Sequence, residues 1–194
     1  MSGSPFHEAD AADLAGFLAE LRRRLTMPGR LYLLGATSHL ALGHRARVER
    51  LDLAGEADGD GAALAAGVRA AAAVVGVALD WEHPGDVIPL PDGHRNRCQD
   101  SRMGWRVAGG PFEVLHFDPY SVVLRLLARG DEPDYHVSLD YVRHGLVDVG
   151  HLEALLADVL PRFTSETIQQ DPAEFRRKFR GFRQMWRVRA ASLA

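Results

Sequence analysis

Four small residues, Gly35-Ala36-Thr37-Ser38, follow the apolar run Leu31–Leu34. A strand that turns through glycine and hydroxyl side chains offers backbone N–H groups and hydroxyls to a phosphate. Asp52, placed on the next apolar segment, supplies a carboxylate of the kind that holds the divalent ion accompanying a phosphate. One carboxylate is not enough for such an ion, so partners are needed. Glu56 shares the parity of Asp52 if the strand continues, and Asp118 stands where a neighbouring strand would end. Gly55 argues that the strand stops before Glu56. Each residue also has a plainer use. Thr37 and Ser38 can cap a short helix. Arg50, on the same face as Asp52, can form a surface ion pair with it. Asp118 before Pro119 has the pattern of a helix N-cap with proline in the first turn.

Histidine and cysteine carry less. His94 and Cys98 are four apart and His116 alternates with Asp118, but no full ligand set recurs at zinc spacing. Cys98 lies among Arg95, Arg97 and Arg102, which favour a thiolate, without a paired base.

The elements that must position these groups follow from periodicity. Leu14, Phe17, Leu18, Leu21 and Leu25 make residues 8–25 an amphipathic helix. Strands are expected at 31–34 and 48–53, with a short helix at 38–43 between them. "GEADGDG" is a loop, "AALAAGVRAAAAVV" a helix, "VALDW" a strand and "HPGDVIPLPDGHRNR" an irregular connection. "MGWRVAGGPFEVLHF" has the form of a hairpin turning at Ala108-Gly109-Gly110. Helices are expected at 119–129, 134–143, 148–160 and 172–188. The fold class is therefore α/β (α+β): an αβ region with an N-terminal helix over 1–118, and a helical region over 119–194. Its sheet is expected to be mixed, of about four to six strands with helices on one face.

The 194 residues are 46% hydrophobic and 25% charged, the balance of an ordinary globular protein. No apolar run is long enough for a membrane span, and the N-terminus lacks the pattern of a signal peptide. Cys98 is the only cysteine. A cytoplasmic location with no membrane partner is the expectation. The net charge of −3 conceals an asymmetry: from Asp171 onward the chain is +5, and the remainder is −8. There Phe175, Phe179, Phe182 and Trp186 recur at helical spacing between arginines. This pattern suits a closing helix with a solvated basic face, or an arginine-rich surface for RNA or an acidic protein.

The order of strand, "GATSHL", short helix and "RVERLDL" resembles small bacterial proteins of the nucleotidyltransferase fold, the superfamily that includes abortive-infection toxin nucleotidyltransferases. The resemblance continues through "EVLHFDPYSVVLRLLARG", "DYHVSLDYVRHGLVD" and "DPAEFRRKF", and is strongest to an uncharacterised branch. It implies a nucleotidyltransferase-like mixed sheet followed by a helical C-terminal half. It also implies a glycine-rich phosphate turn (Gly35, Thr37, Ser38) and two aspartates one residue apart on the next strand for Mg²⁺. Arg50 matches the first aspartate and Asp52 the second. Ala36 matches the usual second glycine of the turn. Arg125 matches a helical lysine expected near the nucleoside triphosphate. Asp134 keeps one of two later acids, and Val137 replaces the other. The resemblance brings Thr37, Ser38, Asp52, Arg125 and Asp134 around one pocket, with Asp52, Arg125 and Asp134 in the catalytic positions. With Arg50 beside Asp52, it implies a degenerate member, a pseudoenzyme that binds a nucleotide or a partner. Two alternatives stay open. One is an active Mg²⁺-dependent enzyme modifying a protein or RNA hydroxyl, with Glu56 or Asp118 completing the site. The other is an interaction module of a toxin–antitoxin or defence pair.

Overall fold

The computed structural model describes residues 6–163 and 171–191. The chain divides into two compact units, Met1–His83 with Gln99–Phe117, and Pro84–Cys98 with Asp118–Ala194.

The first unit opens with α1 (Ala11–Arg24), whose N-terminus is closed by a reciprocal capping box between Asp10 and Asp13. Next come β1 (Gly29–Leu33), α2 (Gly35–Ala41), β2 (Arg50–Ala57), α3 (Gly61–Val75) and β3 (Ala78–Trp81). The second unit interrupts the chain here with a 3-10 turn (Pro84–Asp86) and α4 (His94–Arg97). β4 (Gln99–Asp100), β5 (Trp105–Val107) and β6 (Gly110–His116) complete the sheet. Its order is β3-β2-β1-β6-β4, with β5 also paired to β6. β1 runs antiparallel to β2 and parallel to β6, and β2 runs parallel to β3, so the sheet is mixed as expected. The hairpin forms with Val107 paired to Gly110.

Alternation along the strands sets the two faces. Leu31, Leu33, Leu51, Leu53, Phe112 and Val114 are buried in one core with Leu14, Phe17 and Leu21 of α1 and Leu64, Val68 and Ala71 of α3. At roughly 2 kcal/mol per fully buried aliphatic or aromatic side chain, this sheet–helix core is the main source of the unit's stability. Arg30, Tyr32, Asp52, Ala54, Glu56, Asp80 and Glu113 take the opposite parity.

Two expected boundaries are corrected. β2 does not stop at Leu53 but runs to Ala57, through Gly55. A Cβ at Gly55 would lie 2.8 Å from the Trp81 ring and 2.9 Å from the Arg30 carbonyl oxygen, so this glycine marks a close approach within the sheet. α2 begins at Gly35, not Ser38, so the GATS residues are its first turn.

The second unit is built around α5 (Pro119–Arg129), which is buried continuously from Ser121 to Ala128. α6 (Glu132–Arg143), α7 (Val149–Val159) and α8 (Pro172–Ala191) pack on it, a second 3-10 turn (Leu160–Arg162) following α7. Phe175, Phe179 and Phe182 of α8 are buried. Lys178 Nζ donates to the Ala128 and Arg129 carbonyls at 2.6 and 3.2 Å, placing a cation at the negative end of α5. Arg162 ties its turn to segment 84–98 through the Leu90 carbonyl at 3.0 Å. Among the described residues no helix is long and apolar enough to cross a membrane.

Candidate functional site

In the first unit the site is the corner where β1 passes into α2 beside β2. Leu34 N–H donates to the Asp52 carbonyl at 3.0 Å, continuing the β1–β2 ladder to the start of the helix. Gly35 then takes φ +46°, and a Cβ there would lie 2.9 Å from Asp52 Oδ2. The Asp52 carboxylate therefore rests against the glycine backbone, an approach only glycine permits at this φ. Thr37, fully buried, accepts the Asp52 backbone N–H at Oγ1 (2.7 Å). Gly35, Thr37 and Asp52 are thus brought together.

Ser38 is directed elsewhere, sharing a 2.7 Å hydrogen bond with His116 Nδ1 at the end of β6. Burial lowers the His116 pKa, with Asp100 opposing and His44 reinforcing the effect. The capping expectation for Thr37 and Ser38 is corrected: the N-cap of α2 is Leu34, without a side-chain bond, and both hydroxyls tie α2 to strands instead.

Arg50 Nε lies 3.2 Å from Asp52 Oδ1 and 3.8 Å from Asp80 Oδ2. Asp80 pairs with Asp52 across the parallel β2–β3 ladder, so two carboxylates stand in register on one face with a guanidinium between them. Asp80 is absent from the sequence expectation. Its signal was the parity of "VALDW", with Leu79 and Trp81 facing oppositely, but the register that sets it beside Asp52 is long-range.

Glu56 does share the Asp52 face, yet four residues of strand separate them by about 13 Å, too far to share one ion. It faces Arg30 Nη1 at 3.7 Å and His83 Nε2 at 3.9 Å. Arg30 in turn donates to Glu113 at 2.8 Å, a bond that raises the Arg30 pKa.

Asp118, Arg125 and Asp134 belong to the second unit. Asp118, completely buried, is the N-cap of α5. Both its oxygens are engaged: Arg97 donates from Nε and Nη2 at 2.8 and 2.9 Å, and Ser121 Oγ donates at 2.7 Å. That bidentate pair raises the Arg97 pKa. Arg125 is buried in the middle of α5. Asp134, in the first turn of α6, has Arg129 Nε 3.2 Å from its Oδ2, and Val137 one turn on is buried.

With Arg50 in place, a guanidinium lies within 4 Å of both Asp52 and Asp80, and its charge opposes that of a divalent ion there. Among the described residues no group of three or more His, Cys, Asp or Glu side chains is arranged to hold a metal. Cys98 is half-buried, and its thiol points at the His94 carbonyl at 3.6 Å. No family model, curated protein or solved structure matches the chain.

Proposed function

We propose that this protein is a degenerate nucleotidyltransferase-like protein in which Arg50 replaces the metal, and that it binds a nucleoside triphosphate, or a partner in its stead, without transferring it. The observation that carries the reading is the Arg50 guanidinium set between Asp52 and Asp80. A permanent cation there takes the position beside the two carboxylates that Mg²⁺ would otherwise hold, so nucleotide affinity is expected not to depend on the ion. It cannot supply an open coordination position for an attacking or leaving oxygen, and turnover is lost with it. The use of Thr37 Oγ1 on the Asp52 backbone agrees with a corner kept for its shape.

An active enzyme is the second reading, favoured by the register of Asp80 with Asp52: with Arg50 swung out, two carboxylates would remain on one face. An interaction module that uses no nucleotide is favoured by the basic helix α8. Calorimetric titration with the four nucleoside triphosphates, with Mg²⁺ and with EDTA, separates the three. Equal affinity in both buffers is the expected result. Metal-dependent binding with turnover selects the active enzyme, and no heat in either buffer selects the interaction module.

A further inference from the structure

From Phe175 to Ala191 helix α8 carries Arg176, Arg177, Lys178, Arg180, Arg183, Arg187 and Arg189 and no acidic residue. Its buried stripe, Phe175, Phe179 and Phe182, is shadowed one position on by Arg176, Arg180 and Arg183, and Arg187 extends the same row. Several of these cations have structural work. Lys178 closes the end of α5, Arg177 lies 3.8 Å from Glu174, Arg183 pairs with Glu153, and Arg189 is 3.1 Å from His136 Nδ1. Arg176, Arg180 and Arg187 are exposed and have no carboxylate partner among the described residues. They span twelve residues of helix, about 16 Å from first to last, enough to meet several successive phosphates of one strand.

Trp186 continues the aromatic row but is only half-buried, one residue before Arg187 and three after Arg183. An aromatic ring beside guanidinium groups stacks an unpaired base while the cations hold its phosphates. An acidic protein would pair with the charges and pack on the ring, but a single strand of nucleic acid presents phosphates and flat base faces together at regular spacing. An anionic membrane would need a broad apolar face, but Phe175, Phe179 and Phe182 are buried within the unit and only Met185 and Val188 of the helix's large apolar side chains are exposed. We infer that the exposed face of α8 is a docking surface for single-stranded RNA, with Arg176, Arg180 and Arg187 on phosphates and Trp186 against a base. This inference does not rest on the nucleotide reading.

The test is fluorescence anisotropy of the full chain with an end-labelled, mixed-sequence single-stranded oligoribonucleotide, across a salt series. Three phosphate contacts predict a slope of log affinity against log salt near −2. The triple variant Arg176→Ala, Arg180→Ala, Arg187→Ala should lose at least about tenfold in affinity and most of that slope, while its thermal unfolding stays unchanged because the three side chains are exposed. Trp186→Leu should lose about tenfold with the slope kept. Should Trp186→Leu fail to fold, the arginine variant alone decides. Equal binding to duplex RNA or to single-stranded DNA, equal competition by polyglutamate, or capture by phosphatidylserine vesicles that RNA does not relieve would each overturn the inference, as would an unaltered affinity in the triple variant. A nucleoside triphosphate should leave RNA binding unchanged, so failure here and failure of the nucleotide reading are separate results.

Discussion

Arg50 and Asp52 occupy alternate positions on one face of β2, with Arg50 Nε 3.2 Å from Asp52 Oδ1. The Asp52 side chain is 9% exposed and that of Arg50 43%, so a nearly buried carboxylate is neutralised by a cation reaching in from solvent. Asp80 stands in register with Asp52, and the same guanidinium lies 3.8 Å from its Oδ2.

Replacing Arg50 by Gln should leave those carboxylates facing each other. The half-exposed position limits the cost to about 1 kcal/mol at neutral pH, nearer a surface pair than a buried one. Mg²⁺ should raise the unfolding temperature of the variant and not of the wild type. Urea titrations at neutral pH and melts with and without Mg²⁺ check this; an ion effect equal in both proteins contradicts it.

Thr37→Val keeps the shape of the side chain and deletes the acceptor for the Asp52 N–H. An unsatisfied buried backbone donor costs about 1–3 kcal/mol, and Thr37→Ser should recover most of it. If the hydroxyl served only a phosphate, Val would leave urea stability untouched and weaken nucleotide binding alone.

His116 gives a pH dependence of known sign. Its pKa in the folded protein is below the ordinary 6.5, because burial disfavours the imidazolium. As pH falls, the unfolded chain takes up this proton first, so the contribution is fully present above about pH 7 and is lost as pH drops through 6.5 toward the folded value. His116→Asn should flatten the stability profile between about pH 7 and 5.5 relative to the wild type, measured by urea unfolding. A parallel profile would show that the group is not held neutral.

Local chemistry made much of the fold legible. Asp118-Pro119 marked the start of α5, and the aromatic spacing marked the inward face of α8. Gly55 misled because a strand end and a close approach select the same residue; only Trp81 and Arg30 distinguish them. The GATS residues read as a turn in the sequence because glycine and hydroxyl residues suit turns and helix starts alike, and Leu34, the N-cap of α2, is no capping residue. Asp52 and Arg50 were visible as a pair by parity. Asp80 was not, since its place beside them depends on the pairing of β3 with β2 across the whole of α3. The bond from Ser38 to His116 was hidden for the same reason, as it joins α2 to the end of β6.

On the proposed function, Asp52 serves neither a metal nor turnover. Label transfer from nucleoside triphosphates onto protein and RNA acceptors, compared across wild type, Asp52→Ala and Arg50→Asp, tests it most directly. The account predicts no transfer by the wild type above the Asp52→Ala background, and nucleotide affinities for those two proteins within about tenfold of each other. Clear transfer by the wild type that disappears in Asp52→Ala would contradict it.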